Sequence, residues 1–345
     1  MIDLKDFEYN ELEEYLTGLG EKKYRAAQVF KWLHEGAESY DDMTDISKAL
    51  RARLGAETYI STLAVEKKLV SALDGTVKYL FRLPDGNSIE SVVMRYMHGL
   101  TICISSQIGC RMGCRFCAST IGGLYRSLTA GEILNQVIFA EKDMGEGISN
   151  IVLMGIGEPL DNYDNVVKFL HNINHEKGRN IGYRHITVST CGIVPRIYDL
   201  ADEGLPITLT ISLHAANDRL RSSIMPVNNK YKLSELIPAC KYYVNKTGRR
   251  LSFEYSLIKG VNDSAADARE LAALVKPLAA HVNLIPVNKV EERGYRHGSR
   301  TEINAFRDRL TAAGVNATLR RELGSDIAAS CGQLRKKTIE GRNAE

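Results

Sequence analysis

Three cysteines lie within eight residues of this 345-residue sequence, at Cys110, Cys114 and Cys117. Thiolates bind soft metals, and cysteine is the usual ligand of an iron–sulfur cluster. The spacing C-x3-C-x2-C supplies three thiolates from one loop and no fourth nearby. A [4Fe–4S] cluster held here would therefore keep one iron open for another ligand. A structural zinc loop is the alternative, but such sites usually combine C-x-x-C pairs, and this chain has no second C-x-x-C.

The composition is that of an ordinary globular protein, with 44% hydrophobic and 25% charged residues. No apolar run approaches the roughly eighteen residues that a membrane span needs, and the first residues do not resemble a signal peptide. The seven cysteines are an odd, unevenly spaced set, which favours a reducing compartment over a secreted disulfide framework. We therefore expect a cytoplasmic monomer that does not associate with membranes. The net charge of +3 does not by itself indicate nucleic-acid binding.

The first third of the chain predicts helices followed by strands. Apolar residues at helical spacing predict helices within residues 11–54, the last of them over about 46–54. Residues 60–106 change to a period of two, with turns at Asp74-Gly75 and at Asp85-Gly86-Asn87. The strands predicted there are Val70–Leu73, Thr76–Leu83, Ser88–Tyr96 and Thr101–Ser105.

Beyond the cysteines, short apolar strands alternate with helical stretches. The predicted strands are 150–154, 185–189, 207–212, 251–257 and 282–285, and the predicted helices are 129–143, 163–175, 195–203, 233–246, 263–276 and 301–313. Thr129 and Glu132 predict a capping box at the start of the first of these helices. With the strand before the cysteines there are six β/α units, which indicates an α/β fold with a parallel barrel or an open sheet.

In parallel β/α folds, ligands bind at the carboxyl ends of the strands, and the candidate binding residues all follow such an end. They are Gly157, Glu158, Ser189, Ser212, Leu213, His214 and Asn288. Glu158 can accept hydrogen bonds from an ammonium group, and the polar residues can line a pocket for ribose hydroxyls and adenine. Each residue alone also fits a simpler role, as a turn, a helix cap or a satisfied core histidine.

Two further cysteines stand apart from the cluster loop. Cys103 lies on the strand that enters the loop, and Cys331 lies near the C-terminus. Unpaired cysteines are usually small buried hydrophobic residues, an interpretation that fits Cys191 and Cys240. Cys331 differs because it precedes a glycine in a polar segment that also contains serine and glutamine.

Seven blocks of the sequence resemble one family of radical S-adenosylmethionine (SAM) enzymes. The blocks are Asp74-Gly-Thr-Val-Lys78, Cys103-Ile-Ser-Ser-Gln-Ile-Gly-Cys110, Gly155–Leu160, Ile186-Thr-Val-Ser-Thr-Cys-Gly192, Ile211-Ser-Leu-His-Ala215, Val282-Asn-Leu-Ile-Pro286 and Ala329-Ser-Cys-Gly-Gln-Leu334. Over about residues 3–337 the chain is similar to the bacterial enzymes that methylate carbon 2 of an adenine in 23S rRNA and in the tRNA anticodon loop. It departs from the family pattern at His98-Gly99-Leu100 and at Cys191, neither of which touches a proposed catalytic role.

The resemblance implies an architecture. The expected fold is a partial (β/α)6 radical SAM barrel over residues 98–335. An N-terminal helical RNA-binding domain is expected over residues 1–58 and a β-hairpin extension over 59–97. Residues 336–345 are expected to form a polar tail.

The resemblance also implies a mechanism that uses two SAM molecules per turnover and the [4Fe–4S] cluster. Cys331 takes a methyl group from one SAM, and reductive cleavage of the second yields a radical that removes hydrogen from this methyl. The resulting carbon radical adds to the adenine ring. Glu90 is then the base that removes the ring proton, although the sequence around it alone favours a solvated strand carboxylate. Cys103 finally attacks Cys331, which releases the methylated RNA and leaves a transient disulfide.

The implied partners are 23S rRNA outside the mature ribosome, tRNA, and a one-electron reductant such as flavodoxin. The N-terminal helices and the hairpin are the implied RNA platform. The basic cluster of Lys177, Arg179 and Arg184 is either a phosphate contact or solvated surface. Three alternatives stay open: an adenine carbon-8 methylase that confers antibiotic resistance on the ribosome, a radical SAM enzyme acting on protein or a small metabolite, and a zinc-binding RNA module.

Overall fold

The computed structural model describes residues 1–288 and 290–329 of the chain. Its first part consists of three helices and a two-stranded parallel sheet. These elements are β1 (Ile2–Asp3), α1 (Tyr9–Gly18), α2 (Tyr24–Glu35), α3 (Lys48–Glu57) and β2 (Thr58–Tyr59). The apolar faces of the helices meet in a core of their own, in which Leu12, Phe30 and Leu54 are fully buried. The predicted helical character of this region is confirmed, and α3 extends three residues beyond the predicted end.

The remainder forms a mixed sheet flanked by helices. Its strands are β3 (Ala64–Val70), β4 (Val77–Arg82), β5 (Ser88–Tyr96), β6 (Gly99–Cys103), β9 (Ile148–Leu153), β10 (Ile186–Thr190), β11 (Thr208–Ser212), β12 (Ser252–Leu257), β13 (His281–Pro286) and β14 (Asn316–Leu319), with a small separate pair, β7 (Gln107–Gly109) and β8 (Leu124–Ser127). The helices are α4 (Ala130–Met144), α5 (Tyr163–Asn174), α6 (Val194–Asp202), α7 (Asp218–Ile224), α8 (Leu233–Thr247), α9 (Ala265–Val275) and α10 (Arg300–Ala312).

The ten strands of the main sheet follow the order β14-β13-β12-β11-β10-β9-β6-β5-β4-β3. Strands β6 and β9 to β14 run parallel, whereas β3, β4 and β5 continue the same sheet in antiparallel pairing. The predicted α/β class and partial barrel are confirmed, and the six expected parallel strands are joined by a seventh, β14. The parallel strands put their carboxyl ends at one edge, where ligands of such folds bind.

The prediction of a strand over Val70–Leu73 is wrong. The strand before β4 lies earlier, at Ala64–Val70, and residues 71–76 form a turn. This strand is the edge of the sheet, and its side chains are mostly exposed. It therefore contains charged residues such as Glu66, Lys67 and Lys68 and lacks the alternating apolar pattern by which a strand is predicted. The sequence also did not predict the short elements β1, β2, β7, β8, α7 and β14, most of which span fewer than five residues.

Strands β4 and β5 share the main core with the parallel strands, since Tyr79, Phe81 and Ile89 pack with residues of the barrel. The capping box of Thr129 and Glu132 at the start of α4 is confirmed by its two hydrogen bonds. The domain limits at residues 58 and 97 stay a prediction. No helix among the described residues has the length and apolar character to cross a membrane.

Candidate active site

The three cysteines of the cluster loop line one cavity of about 240 Å3, together with Glu158. We call it the thiol cavity. The loop leaves β7 at Gly109, whose φ of +76° is left-handed and where a Cβ atom would lie 1.9 Å from the carbonyl oxygen of Gly123. Only glycine fits such a position. The hydroxyl of Thr120 lies 3.0 Å from the carbonyl oxygens of both Cys114 and Cys117, which fixes the far end of the loop.

The donor set of the thiol cavity fits an iron–sulfur cluster. Burial raises the pKa of Cys110 to about 12 and that of Cys114 further, and the neighbouring thiolates add to the shift. Buried thiolates of like charge are unfavourable by themselves, and bound iron would supply the compensating positive charge. Three thiols in one cavity are therefore suited to hold a metal cluster.

A structural zinc site is the alternative use of this loop. Within residues 1–288 and 290–329, no three His, Cys, Asp or Glu side chains are arranged around one ion, and this holds for the three cysteines as well. The chain does contain one histidine pair with a spacing found in zinc sites, His171 and His175. These two lie at the end of α5 away from the cysteines, where His171 is 3.0 Å from a carboxylate oxygen of Glu8 and His175 stacks on Tyr9. Neither residue lines the thiol cavity.

Most of the predicted binding residues meet in the thiol cavity. Its lining comes from the carboxyl ends of β9 to β13 and includes Gly157, Glu158, Ser189, Ser212, His214 and Asn288. Leu213 is the exception, because its side chain is fully buried in the main core and does not line the cavity. A side-chain contact of Leu213 with a ligand has no support in this geometry.

The loop after β9 packs closely against residues 104–107, the segment that leads from β6 into β7. A Cβ at Gly155 would lie 2.6 Å from the carbonyl oxygen of Ile104, and one at Gly157 would lie 2.6 Å from Cβ of Gln107. Glu158 is buried at the tip of this loop, and its carboxylate accepts hydrogen bonds from the backbone N–H groups of Leu160 and Cys191, at 3.0 and 2.7 Å. Burial raises the pKa of Glu158, and these hydrogen bonds oppose the shift. The carboxylate thus ties the loop to the end of β10 while it lines the cavity.

His214 is both buried and part of the cavity wall. Its Nδ1 accepts a hydrogen bond of 2.9 Å from the backbone N–H of Ser256, so the neutral ring carries its proton on Nε2. Burial lowers its pKa to about 3, which keeps the ring uncharged at neutral pH. Its φ of +58° is left-handed, an unfavourable conformation for a non-glycine residue that often marks functional sites. The ring of Phe116, from the cluster loop, packs edge-on against it at 4.8 Å.

Glu90 and Cys103 line a second cavity of about 510 Å3, together with Ala328 and Ala329. We call it the hairpin cavity. Glu90 is only 4% exposed, so the interpretation as a solvated strand carboxylate is wrong. Its carboxylate lies 3.3 Å from Nζ of Lys78, which is fully buried. Cys331 lies outside the described residues, two positions beyond Ala329.

The two cavities adjoin. Gly155, Ile285, Val287, Asn288 and Arg320 line both. The sequence did not point to Arg320, because β14 was not predicted. Its guanidinium lies 4.0 Å from the carboxylate of Glu254, a buried residue that also lines the thiol cavity. Burial raises the pKa of Glu254, and the charge of Arg320 opposes this shift.

Arg221 is a supporting residue that sequence reasoning missed. It is fully buried, and its guanidinium donates hydrogen bonds to the carbonyl oxygens of Cys191 and Leu213 and to the amide oxygen of Asn228, at 2.6, 3.1 and 3.0 Å. These contacts brace the loops after β10 and β11, which form one side of the thiol cavity. An arginine in a short helix that was not predicted gives no sequence signal of this role.

Replacing Arg221 with methionine is expected to lower the free energy of unfolding by about 3 kcal/mol, because several buried acceptors lose their donor. Denaturant titration followed by circular dichroism measures this change. Arg307→Met is the control, since Arg307 is a partly exposed residue paired with Asp308, and its change should stay within about 0.5 kcal/mol. An Arg221→Met protein as stable as the control would contradict the bracing role.

The predicted basic cluster is partly engaged within the protein. Arg179 is paired with the carboxylate of Glu141, and it also donates a hydrogen bond of 3.3 Å to the carbonyl oxygen of His34. Lys177 lies 3.4 Å from the exposed carboxylate of Glu176. Arg179 is therefore a structural link between α2, α4 and the loop after α5, which makes it a weak candidate for phosphate binding.

Comparison with known proteins gives consistent matches over the whole chain. Residues 2–60 match the family model of the ribosomal RNA large subunit methyltransferase N-terminal domain, and residues 104–272 match that of the radical SAM superfamily. The chain is 57% identical to a probable dual-specificity RNA methyltransferase RlmN of Alkaliphilus oremlandii, covering 98% of this chain and 99% of the relative. It is 53% identical to a protein of the same name from Lachnospira eligens, covering 99% and 97%. A solved radical SAM methyltransferase from Sphaerobacter thermophilus superposes with a TM-score of 0.92 at 46% identity, covering 96% of this chain and 99% of the other.

Proposed function

Since this chain belongs to the radical SAM family of dual-specificity RNA methyltransferases, we propose that it methylates carbon 2 of an adenine in 23S rRNA and in the tRNA anticodon loop. The observation that carries the proposal is the pair of adjoining cavities. One is lined by three thiols, and the other is lined by Cys103 and Glu90 and reached by the segment that leads to Cys331. Cofactors held in the first cavity would thus lie next to a group held in the second.

The thiol cavity is the proposed cofactor site. When bound there, the [4Fe–4S] cluster and SAM supply the methyl group and the one-electron chemistry of the reaction. Cys110, Cys114 and Cys117 would hold the cluster. Gly157 gives the ligand access to the backbone, and the buried carboxylate of Glu158 is placed to accept from the amino group of SAM.

The other wall of the thiol cavity would bind the nucleoside part of SAM. Ser189, Ser212 and Asn288 offer hydrogen-bonding groups, and neutral His214 offers an Nε2–H donor. Two SAM molecules would be needed in each turnover, one to supply the methyl group to Cys331 and one to supply the one-electron chemistry.

The hairpin cavity is the proposed place of transfer. The thiolate of Cys331 would accept a methyl group from one SAM, and the methyl carbon would bond to carbon 2 of the adenine once the cofactors have removed one of its hydrogen atoms. The sequence supports this role, because Ala329, a residue of the cavity wall, precedes Cys331 by two positions. Glu90 would remove the proton from the ring carbon, and the cofactor site would take up the one electron that remains. The thiolate of Cys103 would then attack the sulfur of Cys331, which forms the S–S bond and breaks the C–S bond, and the released carbon takes up a proton to become the methyl group.

An adenine must leave its stack to enter the hairpin cavity. The rim of that cavity carries the basic residues Arg296, His297, Arg320 and Arg321, which suit the phosphates on either side of an extruded nucleotide. We propose this rim as the RNA contact closest to the reaction and the N-terminal helices as the outer platform. The electron donor is proposed to be a one-electron reductant such as flavodoxin, and the protein is proposed to act in the cytoplasm as a monomer.

Nucleoside mass spectrometry tests the proposed product. The reconstituted enzyme with SAM and a reductant is expected to convert adenosine in a 23S rRNA fragment and in tRNA to 2-methyladenosine. Cys114→Ala, which removes one cluster ligand, is the control and should give no modified nucleoside. Exclusive formation of 8-methyladenosine would show the carbon-8 methylase instead, and methylation of neither RNA would reject the proposal.

A further inference from the structure

The turn between β3 and β4 contacts the segment that leads to Cys331. Asp326 accepts two hydrogen bonds from this turn, one of 2.6 Å from the hydroxyl of Ser71 and one of 2.9 Å from the backbone N–H of Ala72. In the opposite direction, the backbone N–H of Gly324 donates to the carboxylate of Asp74 at 2.8 Å. Three hydrogen bonds thus join two parts of the chain that are about 250 residues apart.

Both carboxylates are ionised acceptors at neutral pH. Burial opposes the ionisation of Asp74, but hydrogen bonds from the N–H groups of Gly324 and Thr76 outweigh it and lower its pKa to about 2. The hydroxyl of Ser71 lowers the pKa of Asp326. Hydrogen bonds to charged acceptors are stronger than those between neutral groups, so the contacts hold the segment firmly.

Lys78 adds a fourth contact from inside the protein. Its ammonium group donates a hydrogen bond of 2.8 Å to the carbonyl oxygen of Ala328 and lies 3.3 Å from the carboxylate of Glu90. Lys78 is fully buried, and a buried lysine is tolerated only where charged or polar partners surround it. One ammonium group therefore connects the proposed base to the backbone of the C-terminal segment.

The conformation of this segment depends on its contacts. Gly324 and Ala328 have φ values of +63° and +47°, and this left-handed conformation is unfavourable for alanine. A Cβ at Gly324 would lie 2.7 Å from Cβ of Ala329 and 3.0 Å from Cγ2 of Thr76, so the segment packs tightly on the turn. Glycine adopts this conformation readily at position 324, whereas at Ala328 local preference opposes it and the hydrogen bond from Lys78 to the carbonyl oxygen supports it.

We propose that residues 71–78, which are the turn before β4 and the start of that strand, form a docking site for residues 324–329, and that Lys78 is the positioning residue that sets this segment in register with Glu90. The docked segment holds the chain leading to Cys331 at the wall of the hairpin cavity. The inference rests on the proposed roles of Cys331 and Glu90. It adds that the geometry of the transfer step depends on a lysine that does not line either cavity.

Amide hydrogen exchange and steady-state kinetics on the full-length enzyme test this proposal. In Asp326→Ala, amides of residues 324–329 should exchange at least about tenfold faster, while those of α10 stay unchanged. The kcat for RNA methylation should fall about 10²-fold with KM for RNA within about twofold, since a displaced reactive group slows the transfer without changing binding. Asp308→Ala, an exposed carboxylate on α10, is the control and should match the unchanged enzyme.

Lys78→Met should show the same exchange and a fall in kcat at least as large, and Lys78→Arg should restore part of the rate. If Lys78→Met does not fold, Asp326→Ala alone decides the question. Unchanged exchange at residues 324–329, or an unchanged kcat despite faster exchange, would overturn the proposal. Failure of the docking proposal can be distinguished from failure of the proposed function. If the proposed function is wrong, the unchanged enzyme gives no 2-methyladenosine, whereas the docking is still tested by hydrogen exchange, which is measured without RNA.

Discussion

Replacing Cys331 with alanine is expected to abolish RNA methylation, with a loss of at least about 10³-fold in rate, and to leave the iron–sulfur cluster in place. In the proposed mechanism the methyl group reaches carbon 2 of adenine only through Cys331, because an electron-poor ring carbon does not attack SAM as a nucleophile. The cluster ligands lie in the thiol cavity and Cys331 belongs to a different part of the chain, so the visible absorbance of the cluster should persist. The rate is read as 2-methyladenosine by nucleoside mass spectrometry.

Cys240→Ala is the matched control for this experiment. Cys240 is a fully buried residue of α8 in the main core, and it lines neither cavity. It should keep its activity at a small cost in stability. Peptide mass spectrometry should find a methyl group on Cys331 of the unchanged enzyme after expression with the cluster. Full RNA turnover by Cys331→Ala would favour a radical SAM enzyme with another mechanism.

Replacing Cys103 with alanine is expected to stop the reaction one step later, with the RNA still attached to the protein. Carbon–sulfur cleavage in the adduct requires a thiolate to attack the sulfur of Cys331, and Cys103 is the cysteine of the described residues that lines the hairpin cavity. The variant should therefore complete less than one turnover. A denaturing gel should reveal a protein–RNA species that nuclease treatment shortens and that Cys240→Ala does not form.

The double variant Cys103→Ala with Cys331→Ala separates this outcome from adventitious cross-linking. It should form no adduct, since the attachment runs through the sulfur of Cys331. Repeated turnover by Cys103→Ala without an adduct would remove Cys103 from the mechanism and leave the release step to another group.

Local patterns in the sequence predicted most of the helices and strands of the fold. The alternation of short apolar strands with helices predicted the parallel part of the sheet, because a strand buried on both faces is apolar throughout. The edge strand β3 escaped prediction, since its exposed side chains need no apolar pattern. Strand β14, which follows the sixth predicted β/α unit, was missed for the same reason. Its residues are exposed or half-exposed, so it has no apolar pattern to predict it.

The candidate site divides in the same way. The cysteine triplet is one short sequence motif, and the glycine loop with Glu158 is another. Each is recognisable from its own residue spacing, so the sequence predicted a cluster with a ligand site beside it. The environment of Glu90 was not predictable, because its burial depends on the neighbouring strand β4 and on Lys78 of that strand. The sequence favoured a solvated carboxylate, and the tertiary structure places it in a cavity wall at 4% exposure.

By itself, the sequence determined that the chain carries a three-thiol loop on a β/α scaffold with two cysteines set apart from it. Short-range spacing is enough for this, since the groups involved lie within a few residues of one another or at successive strand ends. Only the tertiary structure decided that residues 71–78 hold residues 324–329 and that Lys78 and Arg221 are buried beside the cavities. Such contacts join residues far apart in the chain, and the burial of a charge depends on partners that no local pattern specifies.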